Sequence, residues 1–153
     1  MHLHTRDTRR SFQIGNTIVL PRMDTAAQVV VLKNSEGNTD GGQIQFNELL
    51  QQGAIIRARP DQGGDGEGPH PLPEFVGDGG FTRFWDDCSS TPFLTSPYAN
   101  QVITYDDPVS LSLKAEYAKS MGLLGVCMFD ITGDTGQWDL LGSLRGSLGL
   151  SPH

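Results

Sequence analysis

The stretch from Gln101 to Asp134, QVITYDDPVSLSLKAEYAKSMGLLGVCMFDITGD, constrains this chain more than any other, because a helix start, a helix stop and an apolar run follow one another directly. Asp107 is placed to accept a hydrogen bond from the first free helical N–H groups, and Pro108 stands at the first helical position, where its missing donor costs nothing. From there Leu111, Ala115 and Ala118 recur at helical spacing, Leu113, Tyr117 and Met121 widen the apolar face, and Lys114, Glu116 and Lys119 point away. Gly122 is the expected left-handed stop. Leu123 to Ile131 is nearly unbroken apolar and too short for a second long helix, which predicts a strand buried on both faces. Such strands belong to α/β folds, and Cys127 inside this one is expected to be a buried free thiol.

A chain of 153 residues is one domain's worth. Its hydrophobic share is only 37%, and the 19 glycines pack little, so core material is scarce. A formal net charge of −7, with no lysine and arginine patch interleaved with aromatics, argues against nucleic acid or an anionic membrane as partner. No apolar run approaches the ~20 residues that span a bilayer, and the polar start MHLHTRDTRR does not read as a signal peptide. Cys88, in a loop, and Cys127 make no disulfide framework.

Along the chain, residues 1–38 read as a poorly ordered segment with one hairpin, formed by the strand-like runs Asn16 to Leu20 and Gln28 to Lys33. His2 and His4 have no further ligand at metal-binding spacing, so no metal is expected. Asn34 to Gly42 is turn-rich, Ile44, Phe46, Leu49 and Leu50 predict a short helix ended by Gly53, and Ala54 to Arg59 predicts a strand. Asp61 to Gly80 holds seven glycines and three prolines and reads as a flexible, solvated acidic loop. Its Gly-Asp-Gly-Glu-Gly core is no phosphate cradle, because prolines rather than a helix follow, and no calcium loop, because Leu72 stands where a glutamate is needed. Phe81 to Tyr98 is aromatic-rich, Val102 to Tyr105 predicts a strand, and Gly136 to Leu148 predicts a helix with Leu140, Leu141, Leu144 and Leu148 on one face, stopped by Gly149.

Taken together, Tyr105-Asp106-Asp107-Pro108, a helix ending in Lys119-Ser120-Met121-Gly122-Leu123, then Gly125-Val126, Phe129-Asp130 and Gly133-Asp134 resemble the last βα units of a family 18 glycoside hydrolase, the chitinase family. The likeness covers Thr39 to Leu148, with Phe84-Trp85-Asp86-Asp87, Pro92-Phe93-Leu94 and Gln137-Trp138-Asp139-Leu140-Leu141 in the order that family shows near the end of its barrel. The resemblance implies an α/β fold, a partial (β/α)8 TIM-barrel fragment. Its last helix-strand-helix spans 105–150, preceded by an α+β insertion over 39–104 with its loop at 61–80.

The resemblance also implies the chemistry. Family 18 enzymes cleave β-1,4-linked N-acetylglucosamine by substrate assistance: the sugar's acetamido oxygen attacks the anomeric carbon while one glutamate protonates the leaving oxygen. That glutamate lies in a D-x-x-D-x-D-x-E motif, which these 153 residues do not contain; the Met-x-Tyr-Asp signature is absent too. No catalytic residue and no cofactor is therefore assigned. For substrate binding the candidates are Phe129, at the position where the family carries a tryptophan under the reacting sugar, Asp130, where glutamate is common, and Trp85 in the aromatic segment. Asp130 is expected to make structural hydrogen bonds. The seventh and first barrel strands are not expected within this chain, which would leave Leu124, Val126 and Met128 uncovered, so the expectation is either a helix-strand-helix docked loosely on the insertion strands or a fragment that needs another chain to complete the barrel. The expected function is that of the C-terminal part of a chitinase-type hydrolase, inactive alone. The alternative is a lectin-like module that binds chitooligosaccharide without cleaving it. Members of the resembled family are commonly extracellular.

Overall fold

Among the residues described by the structure, a computed structural model covering 29–59 and 74–150, the segment Val29 to Lys33 is the first with defined neighbours. N-terminal to it only the backbone of two strands is described, β1 (Gln13–Ile14) and β2 (Thr17–Ile18), paired antiparallel. The expected hairpin is thus built differently: β2 lies in the first predicted run, but its partner is Gln13–Ile14, and among the described residues Val29–Lys33, the described part of the second run, pairs with no strand. The physical reason lies in two glutamines. Gln101 Oε1 accepts from Leu32 N–H at 2.9 Å while its Nε2 donates to Leu32 O at 2.9 Å. Gln52 does the same for Lys33, both bonds 2.8 Å. Each carboxamide supplies the donor and acceptor that a neighbouring strand would, so Leu32 is buried between exposed Val31 and Lys33 without a sheet.

Helix α1 (Phe46–Gln51) begins where Glu48 Oε2 accepts from Gln45 N–H at 2.8 Å, and it yields to Gly53, whose φ of +78° needs no Cβ. Strand β3 (Ile55–Arg57) pairs antiparallel with β4 (Phe75–Gly77). The predicted loop 61–80 is corrected at its end by β4. Residues 61–73 lie outside the described residues, but Phe75 is buried with its ring edge-on to Phe46 at 5.0 Å, which anchors the strand. Strands β5 (Thr82–Asp86), β6 (Thr91–Ser96) and β7 (Gln101–Thr104) form an antiparallel meander with β7 at one edge.

Helix α2 (Pro108–Ser120) starts as its sequence predicts: Asp107 Oδ1 accepts from Ser110 N–H and Ser110 Oγ from Asp107 N–H, both at 2.9 Å. It ends with Gly122 N–H donating to Lys119 O at 3.1 Å and Leu123 N–H to Ala118 O at 3.0 Å, with Gly122 at φ +68°. Its buried stripe is narrower than expected. Val109, Ala115 and Ala118 are buried, whereas Tyr117 and Met121 are exposed, because among the described residues α2 packs mainly on helix α3 (Asp139–Leu148), along a line of small residues, while Leu111 reaches the core. Ser112 and Ser147 hydroxyls touch at 2.9 Å and Ser143 Oγ donates to Pro108 O at 2.5 Å. Helix α3 starts later than Gly136 and is capped from a distance: the carboxylate of Asp134 accepts from Leu140 N–H and Leu141 N–H, each at 2.9 Å. Gly149 closes it at φ +79°.

The largest correction concerns Leu123 to Ile131. No strand forms there, Leu124 is fully exposed, Cys127 is exposed rather than buried, and among the described residues no hydrogen bond reaches the main chain of Leu124 to Phe129. An apolar strand is stable only with hydrogen-bonded neighbours and covered faces, and the described chain brings neither. Met128 alone of this run packs against the core. The helix-strand-helix is therefore a helix, an uncovered segment with the short 3-10 turn Ile131–Gly133, and a helix. The core itself gathers Leu32, Phe46, Leu49, Ala54, Ile55, Phe75, Phe81, Leu94 and Leu140, so the predicted insertion supplies most of it and α3 one leucine. Leu49 and Phe75, both nearly inaccessible, contribute roughly 1.5–3 kcal/mol each by burial.

Candidate functional site

A groove of about 870 Å³ runs between the segment Val31–Gln45 and strand β7, with Phe129 on its rim. Its lining is rich in uncharged amides, Asn34, Asn38, Gln43, Gln45, Asn100 and Gln101, with Lys33 and Asp40 as the charged members. One asparagine shapes the loop wall. Asn34 Oδ1 accepts from Glu36 N–H at 3.0 Å and Asn38 N–H at 2.8 Å, and its Nδ2 donates to Gly41 O at 2.7 Å. Gly42 is required beside it: at φ +105°, a Cβ there would lie 2.4 Å from Asn34 Nδ2.

Phe129 is 92% exposed, so its ring is available on the rim rather than packed in the core. The next residue is tied down. Asp130 Oδ1 accepts from Thr132 N–H at 2.9 Å and from the Thr132 hydroxyl, while Oδ2 accepts from Gln45 Nε2 at 3.4 Å. Asn47 Nδ2 donates to Thr132 O at 2.8 Å, so the start of α1 holds the turn that follows Phe129. The Thr132 hydroxyl above all, with the Thr132 and Gly133 amides and Gln45, pulls the Asp130 carboxyl below its ordinary range. A carboxyl held ionised in this way is suited to accepting hydrogen bonds and unsuited to protonating a leaving group, which needs a raised pKa.

Trp85 lies elsewhere. It sits half-buried on β5 opposite Pro92, with the Arg83 guanidinium 5.4 Å from its ring, and it does not line the groove. Beneath this sheet Arg83 Nη2 pairs with Asp107 Oδ2 at 2.7 Å. The Tyr105 hydroxyl is buried nearby, and burial raises its pKa against the opposing pull of Arg83. Among the described residues no cluster of three or more histidine, cysteine or carboxylate side chains is arranged to hold a metal. Of the three sequence candidates, then, Phe129 borders the groove, Asp130 sits behind it, and Trp85 is apart. The groove amides carried no periodic or motif signal; Asn34 to Gly42 reads only as a turn, and Gln101 as a strand residue.

The family model for glycosyl hydrolases family 18 matches residues 15–134, beginning well before Thr39. Chitinase A1 of Niallia circulans is 35% identical over 60 residues, 39% of this chain and 9% of its own length. Chitinase B of Serratia marcescens is 37% identical over 68 residues, 44% of this chain and 14% of its own. The chain therefore spans a small part of the curated relatives it matches. Among solved structures, a family 18 N-acetylglucosaminidase from Paenibacillus barengoltzii aligns over 46% of this chain and 20% of its own at 32% identity, with a TM-score of 0.40. With that model matching most of its length, this chain belongs to glycosyl hydrolase family 18.

Proposed function

We propose that this chain is the C-terminal part of a chitinase-type hydrolase, a partial (β/α)8 barrel with its α+β insertion, and that these residues do not hydrolyse chitin on their own. The observation that carries the reading is the uncovered run from Leu124 to Phe129: mostly apolar, uncharged, exposed except at Met128, and without main-chain hydrogen bonds among the described residues. That is the state of an interior strand whose neighbours lie on other polypeptide, supplied by a longer parent chain or a separate partner. The D-x-x-D-x-D-x-E motif would come from the same source. Purified chain mixed with a fluorogenic chitobiose substrate is expected to release no fluorophore. Hydrolysis that vanishes in Asp130→Asn would make Asp130 catalytic and overturn the reading.

A second reading, a chitooligosaccharide-binding module, is favoured by one observation: an exposed aromatic ring on the rim of an amide-rich groove. The apolar face of a pyranose stacks on such a ring, and the amides can bond the hydroxyls. Calorimetry with chitotetraose is expected to show binding that Phe129→Ala removes without loss of stability. Absence of heat at millimolar sugar would eliminate this reading and leave the first intact.

A further inference from the structure

The run Leu124–Phe129 and the free edge of strand β7 border one groove, because Phe129 and the β7 residues Val102, Ile103 and Thr104 all line it. The register of β7 on β6 pairs Thr95 with Val102 and Phe93 with Thr104, and Tyr105 N–H donates to Pro92 O at 3.3 Å. Bonded and non-bonded pairs alternate along an antiparallel ladder, so the N–H and C=O groups of Val102 and Thr104 point away from β6. Among the described residues no hydrogen bond reaches them. The run is unbonded in the same way, and it is held off its own edge at both ends: Leu123 N–H donates to Ala118 O at 3.0 Å, Met128 packs against the core, and Asp130 is tied to Thr132. One chain thus carries an unpaired strand edge and an unpaired apolar run that it does not bring together.

We propose that a second copy of this chain covers the run by reciprocal exchange, the run of each copy adding as a fourth strand to the β7 edge of the other about a two-fold axis. This rests on the reading that the run's neighbours lie on other polypeptide, and it gives that polypeptide an identity. Run and edge lie beside one groove, so a two-fold operation that lays one run on one edge completes the other half in the same interface, and the assembly closes at two. Charge permits the contact. The chain carries a net charge of −7, yet Leu123–Phe129 and Ala99–Thr104 hold no charged side chain, and the groove's Lys33 and Asp40 are of opposite sign, so like-charged copies meet where they do not repel. Size suffices as well: 19 residues line the groove and the run adds five, against roughly 20–30 a side in stable complexes. The extended run, about 20 Å long, spans the whole of β7, and Val102 and Thr104 each offer it one donor and one acceptor. Run laid on run would leave a two-stranded ribbon, which is marginal in water, whereas the exchange extends a three-stranded sheet.

Sedimentation of the purified chain between about 1 μM and 1 mM is expected to pass from monomer to dimer and no further. Leu124→Asp spoils the run, and Val102→Pro removes an outward N–H that β6 does not use, a substitution edge strands accept. Val102→Pro takes one bond from each half and should weaken the dimer roughly fivefold to hundredfold, and Leu124→Asp should weaken it at least as much. The two variants mixed in equal amounts should dimerise more tightly than either alone, because the mixed dimer keeps one half in which an unaltered run meets an unaltered edge. A monomer at every concentration, or a dimer that neither variant weakens, would overturn the proposal. Weakening by Leu124→Asp alone would mean run on run, weakening by Val102→Pro alone edge on edge, and growth beyond a dimer an open head-to-tail chain; each of these, like a mixture no tighter than its parts, rules out the exchange. Thr104→Pro, which removes the other outward N–H, replaces Val102→Pro if near-UV circular dichroism shows that variant unfolded. The hydrolysis assay separates this proposal from the reading beneath it. A monomer that releases no fluorophore from the chitobiose substrate leaves the C-terminal-part reading standing and strikes only the second copy, whereas hydrolysis lost in Asp130→Asn sinks that reading whatever the oligomeric state.

Discussion

The guanidinium of Arg83 on β5 meets the carboxylate of Asp107 at 2.7 Å, and Asp107, wholly buried, also caps the first turn of α2. One carboxylate thereby joins the sheet to the helix. Asp107→Asn keeps the shape and a capping oxygen but leaves a nearly buried guanidinium without its counter-charge. Removing one partner of a buried pair costs about 3–5 kcal/mol. Urea unfolding should show a loss of that size, and a change below about 1 kcal/mol would mean that the pair is solvated in solution.

Two glycine-to-alanine changes should have opposite signs. A Cβ on Gly77 would lie 2.4 Å from Phe81 O and 2.9 Å from Arg83 N, both main-chain atoms that cannot swing aside. Gly77→Ala should therefore destabilise by about 1–3 kcal/mol. Gly142, inside α3, has open space around its Cβ position, so Gly142→Ala should stabilise by about 0.5–1 kcal/mol through helix propensity. The same urea midpoints decide both.

The turn after Phe129 should be acid-sensitive with a defined sign. Asp130 has its pKa lowered from 3.8, chiefly by the Thr132 hydroxyl. Its folded pKa lies below the unfolded one, so its contribution is fully present above about 3.9 and is lost as pH falls through the depressed value. Protection of the Thr132 amide from exchange, relative to its intrinsic rate at each pH, is expected to fall only in that acid window. Thr132→Val should return the carboxyl titration, followed by NMR, toward its ordinary midpoint.

The uncovered run makes a labelling prediction. Cys88 and Cys127 are both exposed, so a thiol reagent should modify both in the native protein at similar rates. Polypeptide that covers Leu123 to Phe129 should protect Cys127 and spare Cys88. Leu124→Asp, at a fully exposed position, should leave stability within about 0.5 kcal/mol while weakening any self-association seen by sedimentation.

The amino-acid order by itself determined the helices and most of their ends. Asp107, Pro108 and Gly122 act within one turn of the helix end they fix, as do Gly53 and Gly149, so these boundaries are legible from a few adjacent residues, whereas the start of α3, held by Asp134 from six positions away, is not. It also determined that Leu123 to Met128 is strand-like in composition, and the family. What only the tertiary structure decided is where such patterns find partners. Leu32 is bonded by Gln101 across 69 positions, Thr132 by Asn47 across 85, and the groove amides converge from segments that share no period. The apolar run reads as a buried strand and yet lies open, because burial is a property of neighbours and not of the residues themselves. Local hydrogen bonds are written into consecutive residues; pairing across the fold depends on which surfaces the rest of the polypeptide brings alongside.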